Sequence, residues 1–212
     1  MAIVPYTQWL PYVQVNVPDC PKALIVEAIR QKVIEFCQRS LFLRQELDGF
    51  YTVADDNEYD LSPPVDNNIA QLLMLKVNKR ELQPKTQDDL EEIYQEWRDQ
   101  SGEPQYFFLK NTNTAILVPK PIGVYPVRIL VALKPTQAAQ GVDEIIFEEY
   151  KDAIKHGALA YLMLMAEKTW SNPNMSAFYQ SQFDAAIQES KMRAEQGYAH
   201  RKHSEQKHII FK

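Results

Sequence analysis

Glycine is scarce in this chain, with 6 residues in 212. Loops that cradle phosphate need glycines at fixed offsets, and no Walker or dinucleotide fingerprint is present. Neither the His-Glu-x-x-His nor the Gly-x-Ser-x-Gly arrangement occurs. Cysteine is scarcer still. Cys20 and Cys37 are too few for a disulfide framework and read as reduced thiols, Cys37 on the buried face of a helix. Long apolar runs are missing: "GALAYLMLMA" is about half the ~20 residues a membrane helix needs. The start, "MAIVPYTQWLPYV", lacks a basic n-region and is interrupted by Pro5 and Pro11, so it does not read as a signal peptide. Positive charge is also in deficit. A net charge of −5 argues against gripping nucleic acid over a broad basic surface.

What is present is enough for a core: 45% hydrophobic residues in 212 fill one large domain or two small ones. Charge is unevenly spread. Residues 197–212 carry Arg201, Lys202, Lys207 and Lys212 against Glu205, a net +3, which leaves −8 on the rest.

Periodicity sorts the chain into α+β parts. Residues 1–42 hold an extended, Pro- and Tyr-rich segment and then a helix with Ile25, Ile29, Val33 and Phe36 at helical spacing. Asp19 or Cys20 is expected to cap this helix, with Pro21 in its first turn and the end near Ser40. Residues 43–135 switch to short strands: "LFLRQELDGFYTV", "EYDLSPPV", "IAQLLMLKVNKREL", the hairpin "QYFFLKNTNTAILVP" and "GVYPVRILVAL". One short helix, about 86–98, is expected inside this β insertion. Thr86 caps it, Asp88 and Asp89 face its dipole, and Leu90, Ile93, Tyr94 and Trp97 form its apolar face.

Residues 142–196 read as a helical hairpin. In the first helix Ile146, Tyr150, Ala153, Gly157, Tyr161 and Leu164 form a near-heptad seam. Asn172 as cap with Pro173 at the first position starts the second helix, whose face carries Tyr179, Phe183, Ala186 and Ser190. The first and last helices must meet, because none buries its stripe alone, and the β insertion should project from that base as an antiparallel lobe.

Candidate chemistry is thin. His200, His203 and His208 would be the ligands of a metal-dependent hydrolase, but they sit in a polar segment without nearby Cys or paired carboxylates. The acid pairs Asp55/Asp56, Asp88/Asp89, Glu91/Glu92 and Glu148/Glu149 fall in loops or first helical turns, where solvated carboxylates are expected. The sequence does not describe an enzyme, and it implies no cofactor and no resident metal. Gly157 and Ala158 in mid-helix mark a close crossing, either with the N-terminal helix or at a subunit contact. Trp170 either plugs the end of the helical core or anchors an interface. The tail, "GYAHRKHSEQKHIIFK", is either a solvated terminus or a docking arm with basic Arg201, Lys202 and Lys207 and apolar Tyr198, Ile209, Ile210 and Phe211. A nucleic-acid-binding tail is the further alternative.

Several stretches carry a resemblance. "LPYVQVNVPDCPKALIVEAIRQKVIEFCQRS" and "EYKDAIKHGALAYLMLMAEKTWSNPNMSAFYQSQFDAAI" resemble the head-to-tail adaptor (connector) proteins of short-tailed bacteriophages. The blocks "PPVDNNIAQLLMLKVNKRELQPKTQDDLEE" and "GEPQYFFLKNTNTAILVPKP" fit the same order, so the resemblance spans about residues 9 to 195. It implies a structural protein of the virion's head-tail junction, made in the cytoplasm of a bacterial host. Copies would form a homo-oligomeric ring, about twelve in number, below the portal protein. The next tail component (nozzle or stopper) would dock beneath it. Double-stranded DNA would pass through the lumen during ejection without specific binding, and no membrane is involved. An acidic body suits such a lumen, because negative walls repel phosphate. The resemblance also implies that residues 197–212 dock on the portal; the residues themselves make Gly157, Ala158, Tyr161, Trp170 and Phe183 the candidates for helix crossing or subunit contact. A tail-completion or stopper component, one layer further from the capsid, is the alternative within structural proteins.

Overall fold

Tyr6, Trp9, Val13 and Val17 recur at intervals of three and four, and the chain coils there despite two prolines. The computed structural model describes residues 2–93 and 96–196. It opens with strand β1 (Ile3–Pro5), a 3-10 turn (Tyr6–Trp9) and the short helix α1 (Leu10–Gln14). This corrects the expectation of an extended start. Pro11 sits in the first turn of α1, where its missing N–H costs nothing, so it does not break the helix. Tyr6, Trp9, Val13 and Val17 are all buried.

Helix α2 (Lys22–Ser40) follows, with Pro21 at the N-cap position and no side-chain cap, so neither Asp19 nor Cys20 caps it. It stops at Leu41, which takes a left-handed conformation (φ 53°). Ile25, Ile29, Val33, Phe36 and Cys37 form its buried face. Burial, with Asp143 adding to the effect, pushes the Cys37 thiol up to about 12.

The lobe that follows is built from two four-stranded sheets. One has the order β2 (Arg44–Tyr51), β11 (Pro126–Pro135), β4 (Asn67–Val77), β5 (Arg80–Glu81). Its long strands are antiparallel, and Asn78 and Lys79 make the β4–β5 turn with positive φ. The other has the order β3 (Glu58–Asp60), β9 (Thr114–Val118), β8 (Tyr106–Asn111), β6 (Gln83–Pro84). Leu47, Leu72, Leu75, Ile129 and Val131 from the first sheet share one core with Tyr59, Phe107, Ala115 and Leu117 from the second. Helix α3 (Gln87–Ile93) covers the second sheet's other face, where Leu90 and Trp97 pack on Phe108, Ile116 and Val118. Its start is a reciprocal box: Asp89 N–H donates to Thr86 Oγ1 (3.1 Å) and Thr86 N–H to Asp89 Oδ2 (3.0 Å). Ile93, expected on the apolar face, is exposed instead, because the helix ends there and Trp97 fills the site from the following turn. Tyr94 lies outside the described residues. A parallel pair of two-residue strands, β7 (Ser101–Gly102) and β10 (Lys120–Pro121), ties down the loop between.

After the lobe, residues 141–143 form strand β12 (Gly141–Asp143), not the first turn of a helix as expected. β12 pairs antiparallel with β1 in the register Ile3 to Asp143, Val4 to Val142 and Pro5 to Gly141. A Cβ at Gly141 would collide with the Val4 carbonyl oxygen, so this ribbon closes only around glycine. Helix α4 (Glu144–Met163) and helix α5 (Pro173–Gln196) complete the chain. Asp143 caps α4 by accepting from Ile145 N–H (3.1 Å). The chain is thus a mixed α+β protein. Trp9, Phe36, Tyr150, Ile154, Leu159, Phe183 and Ile187 fill a helical core separate from the core of the lobe.

Candidate assembly surfaces

The α4–α5 hairpin is registered by short polar contacts. Asn172 Oδ1 accepts from Met175 N–H (3.2 Å), and Asn172 N–H donates to the Met163 carbonyl (2.9 Å). Ser176 Oγ, buried, donates to the Ala160 carbonyl at 2.7 Å, which satisfies both groups inside the crossing. At the far end Arg193 pairs with Glu149 (3.0 Å), a contact that solvent screens.

Between these ends Gly157 faces the Phe183 ring: a Cβ built there would lie 2.9–3.1 Å from three ring carbons. The close approach at Gly157 is therefore to α5, a neighbour that the sequence reading, which offered the N-terminal helix or a subunit contact, did not name. Phe183 is also where α2 enters. Its ring lies 6.4 Å from Phe36, and the Lys32 ammonium stands 5.3 Å from its centroid. Arg39 of α2 reaches Asp184 on α5 (2.6 Å) as well as Glu35 (2.7 Å). Burying a phenylalanine of this kind is worth about 1.5–3 kcal/mol. Ala158 is buried in the same core, and Trp170 packs partly buried against its end.

The expected heptad seam does not stay buried. Ile146, Tyr150, Ala153 and Gly157 face the core, but Tyr161 and Leu164 face solvent, Leu164 at 66% exposure. The helix kinks at Tyr150 (φ −128°, ψ 20°), whose ring is held 4.8 Å from both Phe36 and Phe42. On α5 a further stripe is exposed. Met175, Phe178 and Met192 fall with Gln182, Ala185 and Glu189 on positions that alternate intervals of three and four, beside the buried Ser176, Phe183, Ile187 and Ser190. The hairpin thus offers one apolar face inward and leaves five large apolar side chains outward. Sequence reading missed the α5 stripe, although its heptad spacing was the available signal.

The lobe has an apolar tip that sequence reading also missed. Tyr51, Val53, Ile122 and Val124 are exposed around buried Thr52. The Thr52 hydroxyl donates to the Gly123 carbonyl and accepts from Tyr125 N–H, both at 2.8 Å, so the tip is rigidly held. The carboxylate pairs show no catalytic grouping, and no three His, Cys, Asp or Glu side chains among the described residues are placed to hold a metal. His200, His203 and His208 lie outside the described residues, as does the whole docking arm, Tyr198, Arg201, Lys202, Lys207, Ile209, Ile210 and Phe211 included. Among the described residues no helix is long and apolar enough to cross a membrane.

No curated protein matches the chain. The family model described as "SU10 adaptor protein" matches residues 7–203, nearly the whole length. The chain therefore belongs to the SU10 adaptor protein family and is a structural adaptor of a bacteriophage.

Proposed function

We propose that the chain is the head-to-tail adaptor of a phage virion. It forms a ring, of about twelve copies as the resemblance implies, under the portal protein and connects the capsid to the next tail component. DNA crosses its lumen without specific binding, and the chain has no catalytic role. The observation that carries this reading is the outward apolar face of the α4–α5 hairpin: Tyr161, Leu164, Met175, Phe178 and Met192. Five large apolar side chains on one hairpin serve association better than solubility. A closed ring needs two different complementary faces on each subunit, and the hairpin face and the rigid lobe tip are two such faces. Residues 197–212 supply the arm that docks on the portal, with the basic residues matching an acidic rim and Ile209, Ile210 and Phe211 as anchors.

The test is electron microscopy of the purified chain mixed with the portal protein of the same genome, set against a chain ending at Gly197. A ring added to the portal by the full chain alone is the expected result. No added density with either chain would overturn the reading and move the protein further down the tail.

A further inference from the structure

An open cleft of about 580 Å³ lies where the β1–β12 ribbon meets the lobe. Ile3, Pro5, Leu43, Val65, Leu133 and Val142 give it an apolar floor, and Asp66, Asp143 and Arg44 stand at its rim. Val65 is 88% exposed there. The ribbon register turns Val4 into the core and leaves Ile3 for the cleft. The lobe side is bounded by the start of β2, the outermost strand of its sheet, which pairs with β11 on one edge. Leu133 of β11 and residues 64–67 leading into β4 complete that side, and an open apolar cleft of this kind is a seat for a short extended segment whose apolar side chains fill it.

The chain has such a segment, and the fold delivers it to this place. α4 and α5 run antiparallel, with Phe183 beside Gly157 and Arg193 on Glu149. Continuing that pairing brings Gln196 level with Ile146, near the start of α4 and next to β12, which lines the cleft. From Gln196 to Ile209 the chain can span up to about 45 Å, several times one helix-to-helix spacing. The order of chemistry matches as well. Beyond Gln196 come Arg201 and Lys202, then Lys207, then Ile209, Ile210 and Phe211. Along the route come Glu144, Glu148 and Glu149 in the first turns of α4, then the Asp143 and Asp66 rim, then the apolar floor.

We propose that this cleft is the resting seat of the chain's own C-terminal arm, with Ile209–Phe211 on its floor and Arg201 and Lys202 against the acidic start of α4. The arm is thus held in cis until a partner competes for it, and the apolar residues at its end and those of the cleft floor are covered together. The proposal rests on the adaptor reading only for the identity of that later partner.

Disulfide trapping on the purified full-length chain tests it without the portal, so its failure and that of the adaptor reading are distinguishable. Cys20 and Cys37 are buried and leave the background clean. Val65→Cys combined with Ile210→Cys should close an intramolecular bridge about tenfold faster than Val15→Cys combined with Ile210→Cys, through the higher effective concentration of a seated arm. Val15 is a fair comparator, being 81% exposed on the N-terminal segment that packs against α4. Raised salt should slow the Val65 bridge, because the basic stretch of the arm helps to hold it. Equal rates at the two positions, or disulfide-linked dimers in place of bridged monomers, would overturn the proposal. Dimers would assign the seat to a second copy.

Discussion

In the helical base one ring, Phe183, meets all three long helices: Gly157 of α4 lies against its face, and Phe36 and Lys32 of α2 lie beside it. In the β lobe Ile129 has a comparable place, central in β11 between β2 and β4, but backbone ladders on both sides also hold the strand. The two regions therefore depend on side-chain packing to different degrees. The base has a single fulcrum, while the lobe spreads its cohesion over paired strands and two layers. The base also leaves its unused apolar surface along a helical face, and the lobe concentrates its own at a tip.

Phe183→Ala should break the comparison most, at about 3–5 kcal/mol, since a cavity would open where three helices meet. Denaturant unfolding would read it as an early shift in the signal of Trp9 and Trp170, which belong to the base, ahead of Trp97, which belongs to the lobe. Ile129→Ala should cost about 2–5 kcal/mol and reverse that order. Coincident shifts for both variants would show that base and lobe unfold as one unit.

Gly157→Ala pits two effects against each other. Helix propensity favours alanine by about 0.5–1 kcal/mol, but overpacking against the fully buried Phe183 ring costs about 1–3 kcal/mol. Net destabilisation is expected, and a gain in Tm would show that the ring can give way. Phe178→Ser lies on the exposed stripe and should change stability by less than about 0.5 kcal/mol while lowering ring assembly on the portal, read by electron microscopy. Unchanged assembly would remove the hairpin face from the interface.

The smallest effect concerns pH. Burial holds the pKa of His156 below its ordinary 6.5, with Lys155 adding and Asp152 opposing. The unfolded chain therefore binds its proton at higher pH than the folded one. The contribution of His156 to stability is full above pH 6.5 and declines as pH falls from there toward the lower folded value. His156→Gln should flatten the decline in Tm over that window, and an unchanged slope would assign it to other groups. His156 also stacks on Tyr179 at 5.4 Å, so a small pH-independent loss is expected as well.

Legibility followed range. The Thr86 cap, the Asn172–Pro173 start and the periods of α2, β4, β8, β9 and β11 are set within a few residues, and all were readable. The N-terminal helix was missed because prolines read as breakers, although Pro11 occupies a position that tolerates it. Strand β12 was missed because three residues carry no period; only its pairing with β1 defines it.

The sequence by itself determined where most of the longer helices and strands form, that the two sets of elements follow different periods, and that a basic stretch ending in apolar residues follows an acidic body. These depend on local sterics, capping and the spacing of apolar residues. The tertiary structure alone decided that Gly157 meets α5 and not α2, that Tyr161 and Leu164 face outward, and that β1 and β12 wall a cleft beside the start of β2. A glycine in a helix signals a close neighbour without naming it. An apolar stripe calls for burial without specifying against what, because many helix pairings satisfy the same pattern and only packing of the whole chain selects one.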